Sequence, residues 1–163
     1  SCPGGMCDTQ CGNGSTSTVD CKNSENGNCD TTCHPGSTCS MDCTGTGGCS
    51  MPCYGTNCRI AGCDGACSIE CSTKDAQCVI DACADGGCNI EGCGSGANCK
   101  IDSCGGGCDL TCEGDRVTCR LGECAGGGCV VRDCGPKGTC DIGTCEGGCA
   151  IQRCGAGAST MKP

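Results

Sequence analysis

Cysteine recurs along most of this sequence in units of the form C-x-Φ-x-(x)-C, where Φ is almost always an aliphatic residue. Between Cys78 and Cys112, for example, Ile80, Ile90 and Ile101 each stand two residues after a cysteine. Alternate residues of a β-strand point to the same face. The pattern therefore predicts short strands in which the cysteine and Φ side chains share one face.

Thirteen such units run from Cys29 to Cys154 and hold 26 of the 30 cysteines. Their Φ positions are Thr31, Met41, Met51, Ile60, Ile69, Ile80, Ile90, Ile101, Leu110, Leu121, Val131, Ile142 and Ile151. The last ten units, in which we predict structural disulfides, contain Cys58, Cys63, Cys67, Cys71, Cys78, Cys83, Cys88, Cys93, Cys99, Cys104, Cys108, Cys112, Cys119, Cys124, Cys129, Cys134, Cys140, Cys145, Cys149 and Cys154. The residue between each first cysteine and Φ is mostly polar, so we expect it to face water while cysteine and Φ face inward.

The residues that precede the units alternate between two classes, and this alternation sets the length of the repeat. Two residues before every second unit stands a glycine, at spacings of 18 to 21 residues: Gly27, Gly47, Gly65, Gly86, Gly106, Gly127 and Gly147. Immediately before the other units stand uncharged hydrogen-bonding residues: Thr38, Asn57, Gln77, Asn98, Thr118 and Thr139. The repeat therefore holds two units. We expect the glycine column to mark a tight corner, where Gly106 tolerates a bulky side chain less well than Gly105 does.

A fixed period of about 20 residues with β-branched residues and glycine turns is typical of a β-solenoid. We predict an all-β, disulfide-rich β-solenoid over residues 29–154, with two units in each coil. Residues 1–28 are predicted to form an irregular, cysteine-rich N-terminal cap, and residues 155–163 a C-terminal tail. About six coils stacked ~4.8 Å apart give a rod roughly 30 Å long. Since the tail offers little material to cover the last coil, we expect a partner or a further subunit to add there.

Sulfur must replace an ordinary hydrophobic core in this chain. The sequence has one tyrosine, no phenylalanine and no tryptophan, so it offers little apolar volume to bury. Zinc and iron–sulfur sites favour C-x-x-C spacing, and the sequence contains no CC, C-x-C or C-x-x-C. A metal-binding thiol protein is therefore the least favoured alternative, and we predict no metal and no cofactor.

The even number of cysteines predicts that all 30 are oxidised within the chain, in a secreted, extracellular protein. Pairing within a unit, as in Cys67–Cys71 or Cys78–Cys83, is the first prediction. Pairing between consecutive units, as in Cys83–Cys88, is the alternative. The sequence begins at Ser1 without a signal peptide, as a mature secreted protein or an excised fragment would.

Several other functions are disfavoured by the sequence. The formal charge of −9 opposes binding to nucleic acid or to anionic membranes, and no long apolar run predicts membrane insertion. His34, the only histidine, stands beside Pro35 as a turn residue, and no nucleophile–base arrangement with it indicates an enzyme. Asn13 begins an N-glycosylation sequon. Acidic residues that could bind calcium follow no calcium-loop pattern and fit a solvated surface better: Asp81, Glu91, Asp102, Glu113 and Asp115.

Over residues 29–154 the construction, with cysteines in every turn of a solenoid, resembles the disulfide-laddered hyperactive antifreeze proteins of insects. That resemblance implies ice as an alternative ligand, bound by a flat face. Here T-x-T occurs only at residues 16–18 and 44–46, outside any column, and charged residues stand near the Thr/Asn/Gln column. The other candidate ice face is the glycine side. We predict a secreted structural protein, a rigid rod that self-associates or joins an extracellular filament or matrix, with ice binding as the alternative.

Overall fold

The computed structural model of the protein describes residues 7–22, 28–45, 47–85, 87–153 and 159–161. All regular structure in these ranges is β, and no helix that could cross a membrane occurs there. The strands are β1 (Cys7–Cys11), β2 (Thr16–Asp20), β3 (Asn28–Cys33), β4 (Thr38–Cys43), β5 (Gly48–Pro52), β6 (Asn57–Cys63), β7 (Ala66–Glu70), β8 (Gln77–Cys83), β9 (Cys88–Glu91), β10 (Asn98–Cys104), β11 (Asp109–Thr111), β12 (Thr118–Cys124), β13 (Val130–Arg132), β14 (Thr139–Cys145), β15 (Ala150–Gln152) and β16 (Ser159–Met161).

The strands stack into two parallel sheets, one from each half of the repeat. The odd-numbered strands form an eight-stranded sheet in sequence order, called sheet A here, and the even-numbered strands form a second, called sheet B. Every pairing is parallel and places equivalent repeat positions side by side, as with Cys99 on Cys119 and Ile101 on Leu121. The predicted β-solenoid with coils of about 20 residues is confirmed.

The narrow core consists of the predicted inward-facing residues. The aliphatic Φ side chains from Met41 to Ile142 are almost completely buried, and so are the cysteines that flank them, except for the partly buried Cys145. Thr31 occupies its Φ position with no exposed surface, and its hydroxyl lies 2.7 Å from the hydroxyl of Thr9 on the neighbouring strand. A threonine in this core therefore satisfies its hydroxyl with a second threonine one coil away.

The disulfides join consecutive units, so the prediction of pairing within a unit is wrong and the alternative is correct. Cys83 bonds Cys88, and neither Cys67–Cys71 nor Cys78–Cys83 is formed. The two cysteines of one unit lie at opposite ends of one strand, about 13–16 Å apart, whereas a disulfide needs Cα atoms within about 7 Å. The turn between two strands brings the next cysteine to that distance.

Two columns of disulfides therefore run along the solenoid, one at each turn. The turn from sheet A to sheet B, called the A-to-B turn here, is crossed by Cys33–Cys39, Cys53–Cys58, Cys71–Cys78, Cys93–Cys99, Cys112–Cys119 and Cys134–Cys140. The B-to-A turn is crossed by Cys21–Cys29, Cys43–Cys49, Cys63–Cys67, Cys83–Cys88, Cys104–Cys108, Cys124–Cys129 and Cys145–Cys149. The Cα–Cα separations span 5.9 to 6.7 Å. Sulfur thus seals both narrow edges of the core, and the Φ residues fill its centre.

The prediction that all 30 cysteines are oxidised fails at Cys11, which is buried and free. Cys154, whose oxidation was also predicted, lies outside the described residues. The position opposite Cys11 across its turn belongs to Ser17, which pairs in register with Cys39 of the next coil. Cys11 therefore lacks a partner because the first coil carries serine where the later coils carry cysteine.

The segment predicted as an irregular cap contains regular solenoid structure. Strand β1 pairs with β3, and β2 pairs with β4, in the same registers that the later coils use. The sequence pattern failed here because Thr9 occupies a Φ position and Ser17 a cysteine position. Near the other end, β16 in the predicted tail extends sheet B beyond β14.

Glycines stack along both turns, not only along the predicted column. Within that column, a Cβ on Gly65 would lie 2.1 Å from the Gly47 carbonyl oxygen, whereas Gly27 and Gly86 lie outside the described residues. Gly105, which we expected to tolerate a bulky side chain better than Gly106 does, leaves no room for one, because its Cβ would lie 1.9 Å from the Ala84 oxygen. Close stacking of successive coils, more than the turn itself, imposes glycine at these positions.

Candidate functional surface

Sheet B presents one uncharged column along the whole solenoid. The structure places Thr38, Asn57, Gln77, Asn98, Thr118 and Thr139 in register at the first position of successive strands. Neighbouring members contact each other weakly: the amide nitrogen of Asn57 donates to Thr38 Oγ1 at 3.4 Å, and Thr139 donates to Thr118 at the same distance. The column is therefore a line of hydrogen-bonding groups that remain largely available to solvent or a ligand.

The column extends into the first coil, which the sequence analysis did not identify. Thr16 pairs in register with Thr38, and Thr18 pairs with Ser40, so the T-x-T of residues 16–18 joins sheet B. Four hydroxyl side chains thus form a small array over β2 and β4. The T-x-T of residues 44–46 cannot be placed, because Thr46 lies outside the described residues. Recognising the first coil in the sequence would have revealed the array.

The outward column next to the uncharged one carries most of the basic residues of sheet B. In register at the third strand position stand Thr18, Ser40, Arg59, Val79, Lys100, Arg120 and Asp141. Arg59 donates to Asp81 through Nε at 2.9 Å, and this hydrogen bond raises the pKa of the Arg59 guanidinium above its ordinary value. Lys100 pairs with Asp102 at 2.5 Å, and Arg120 lies 3.8 Å from Asp141. This charged column limits any uncharged face on sheet B to its first coils.

Sheet A carries an acidic groove of about 460 Å³ lined by Glu70, Asn89, Glu91, Gly92, Asp109, Thr111, Glu113 and Arg132. Glu70 and Glu91 stand directly beside each other on adjacent strands, which is unfavourable for like charges. The Asn89 amide donates to Glu91 Oε1 at 2.6 Å, and Arg132 Nε donates to Asp109 at 2.9 Å. The groove is a solvated, partly compensated acidic surface.

The five acidic residues considered as calcium ligands do not come together. Asp81 and Asp102 lie on sheet B, each beside a cation, whereas Glu91 and Glu113 line the groove of sheet A. Asp115 lies on an A-to-B turn, 3.5 Å from Arg116. The arrangement fits the solvated acidic surface that the sequence favoured.

The remaining predicted residues lie on A-to-B turns. His34 follows strand β3 and donates its backbone N–H to the Cys11 carbonyl, and the Ser37 backbone N–H donates to the His34 carbonyl. Asn13 is exposed on the turn that follows β1, and Tyr54 is 42% exposed. The histidine thus serves the turn through its backbone.

Comparisons of the chain with protein-family models, with curated proteins and with solved structures return no match. The function is therefore argued from the residues and their geometry alone.

Proposed function

We propose that this protein is a secreted structural protein: a rigid, disulfide-stapled rod that acts by shape and by association in an extracellular filament, coat or matrix. The observation that carries the proposal is the pair of disulfide columns, which closes both turns of nearly every coil. Disulfides persist in oxidising compartments, and their number suggests that this protein works in one. The regular features of the chain serve the scaffold, and the charged side chains mostly pair along its surface.

The physical advantage of such a rod is resistance to local opening. Unfolding one coil would break parallel ladder hydrogen bonds on both sides while two short covalent loops still hold its turns. Proteases need an opened segment, so a chain that opens rarely is cut rarely. This supports a role in which the protein persists outside the cell as a mechanical or covering element.

Ice binding is the second candidate, and the in-register hydroxyl array of β2 and β4 is the observation that favours it. The uncharged column continues that array to Thr139, but from Arg59 to Asp141 every position of the neighbouring column except Val79 is charged. An ice-binding surface on sheet B would therefore be confined to its first coils or to one residue in width. The smaller face makes this the weaker of the two proposals.

Sedimentation velocity over a wide concentration range, combined with thermal hysteresis, tests the two candidates. The structural proposal expects particles that grow with protein concentration and no hysteresis. A monomer at every concentration, ionic strength and calcium level contradicts assembly. A monomer with measurable thermal hysteresis would contradict the structural proposal and support ice binding.

A further inference from the structure

The outer face of sheet B carries two charged stripes that run parallel to the rod axis. The basic stripe is Arg59, Lys100 and Arg120, at the third strand position. The acidic stripe, at the fifth or sixth position, is Asp20, Asp42, Asp81, Asp102 and Glu123. Since a strand rises about 3.3 Å per residue, the stripes lie about 7–10 Å apart. Members on adjacent strands, such as Lys100 and Arg120, lie ~4.8 Å apart, whereas Val79 stands between Arg59 and Lys100.

Only one way of placing two such faces together brings opposite charges into contact. A twofold axis parallel to the rod, between the stripes, sets the basic stripe of each copy opposite the acidic stripe of the other. A twofold axis across the rod instead sets each stripe against itself, so like charges meet. A symmetric pair of copies uses the same patch twice. The stripes therefore favour two rods lying side by side and pointing in the same direction.

The ion pairs within one chain leave these side chains free to exchange partners. The side chains of Arg59 and Arg120 are 60% and 57% exposed. Exposed ion pairs stabilise a fold only weakly, so exchanging one for an intermolecular pair costs little. Glu123 is exposed and forms no ion pair within the described ranges, so it is available to a cation of a second copy.

The area of the face is sufficient for a specific contact. Seven strands at ~4.8 Å and a strand length of about 23 Å give roughly 700 Å² per copy. Stable protein interfaces bury about 800 Å² per partner, and transient ones less. A contact of this size with polar stripes is typical of reversible, salt-sensitive association.

We propose that two copies of this chain associate side by side and in parallel through the outer face of sheet B, with the basic stripe of each on the acidic stripe of the other. The proposal deepens the structural function and rests on it, because it names the surface by which rods assemble. It assigns lateral association to sheet B and leaves sheet A facing outward.

Three double variants test this proposal in the oxidised, full-length chain. The first is Lys100→Glu with Arg120→Glu, which makes the β10–β12 part of the basic stripe acidic. The second is Asp102→Lys with Glu123→Lys, which makes the β10–β12 part of the acidic stripe basic. The control, Arg132→Glu with Arg153→Glu, changes the net charge as much as the first but alters the sheet A side of the molecule. Circular dichroism and protease resistance establish that each variant is folded.

Sedimentation equilibrium at about 20 mM salt, where surface charges are weakly screened, measures the dissociation constants. We expect each sheet B variant alone to dissociate at least about tenfold more readily than wild type, and the control to stay within about threefold. Mixing the two sheet B variants should restore association, since each altered stripe then meets its complement.

Three results would overturn the proposal, and they are distinguishable. If wild type associates but the sheet B variants behave as the control does, another surface carries assembly and the structural function survives. If the two sheet B variants fail to bind each other, the parallel stripe pairing is wrong. A wild-type monomer at low salt removes both this contact and the assembly on which the structural function rests.

Discussion

The first coil and the fifth coil follow the same A-to-B turn, but only the fifth is closed by a disulfide. Residues 11–17 read CGNGSTS and residues 93–99 read CGSGANC. In both turns the second glycine has a left-handed φ, 67° at Gly14 and 75° at Gly96. The same backbone hydrogen bond closes both: Ser15 to Gly12 at 3.1 Å, and Ala97 to Gly94 at 3.0 Å.

The residues that determine the path of the turn therefore differ from the contacts that hold one coil against the next. The turn has the same path with or without sulfur, so its local residues determine it. The two positions differ in their surroundings: a Cβ on Gly94 would lie 2.8 Å from carbonyl oxygens of Ser72 and Thr73, whereas on Gly12 it meets no atom of the described chain within 4 Å. The disulfide and the first glycine of an inner turn are therefore required by the stacking of coils and not by the path of the turn.

Removing sulfur from the fifth coil should make it resemble the first and have the largest effect. We expect Cys93→Ala with Cys99→Ala to lower the free energy of unfolding by about 2–5 kcal/mol, because it opens a short loop and deletes two buried sulfurs. Cys11→Ala, which deletes a buried thiol but no bond, should cost clearly less. Thermal denaturation of the oxidised proteins measures both, and equal losses would mean that the bond itself contributes nothing.

Adding a methyl group at the first glycine of the turn should have the second-largest effect. The effect should be large in the fifth coil and small in the first. We expect Gly94→Ala to destabilise by about 3 kcal/mol, the upper end of overpacking, because its Cβ meets two backbone oxygens of the preceding coil. The matched change Gly12→Ala should be nearly neutral. If denaturation midpoints shift equally for the two variants, glycine is required by the turn and not by stacking.

Giving the first coil the missing cysteine should allow a disulfide to close its turn, as one does in the fifth coil. Ser17→Cys places a thiol across the turn from Cys11, in register with Cys39 of the disulfide column. A disulfide there closes a seven-residue loop, for which the chain-entropy model gives a gain of about 2 kcal/mol. Intact mass should show one additional bond and the loss of the Cys11 thiol. Persistent free thiols at residues 11 and 17 would contradict the predicted geometry.

The smallest effect concerns the ion pair that ties the first coil to the second. Lys22 Nζ lies 2.8 Å from Asp42 Oδ2, and the hydrogen bond from Lys22 lowers the pKa of Asp42 below its ordinary value of 3.8. The same hydrogen bond raises the pKa of Lys22 above 10.5. A lowered carboxyl pKa stabilises the fold above the unfolded value, and this contribution disappears as pH falls through the folded pKa. The raised lysine pKa stabilises below 10.5, and that contribution disappears as pH rises through the folded value.

Asp42→Asn tests this pair by thermal denaturation across the acid range. The variant should unfold at a slightly lower temperature than wild type at neutral pH, and the difference should disappear as pH falls below 3.8 and through the lowered pKa of Asp42. Because both side chains are partly exposed, added salt should also reduce the difference. A difference that stays constant through the acid range would show that the carboxylate charge is not its source.

The repeat, the two strands of each coil and the inward direction of the cysteine and Φ side chains could all be predicted from the sequence. These are local properties: alternation along a strand and a fixed period place Ile80 and Ile101 inside without knowledge of any distant contact. The strand assignment already excluded the pairing of Cys78 with Cys83, because one strand separates them by about 16 Å. Only the turn geometry showed that Cys83 meets Cys88.

The features that depend on contacts between successive coils could not be predicted without the folded structure. The first coil was hidden in the sequence because Thr9 and Ser17 break its pattern, and only the pairing of β1 and β2 with the next coil reveals it. The same holds for Gly94 and Gly105, whose lack of space comes from residues about 20 positions earlier. The charged stripes of sheet B likewise exist only when the coils stack, since each strand contributes one or two of their members. The register between coils depends on residues about one repeat apart. A periodic sequence therefore specifies the length of its repeat more strongly than the contacts between one repeat and the next.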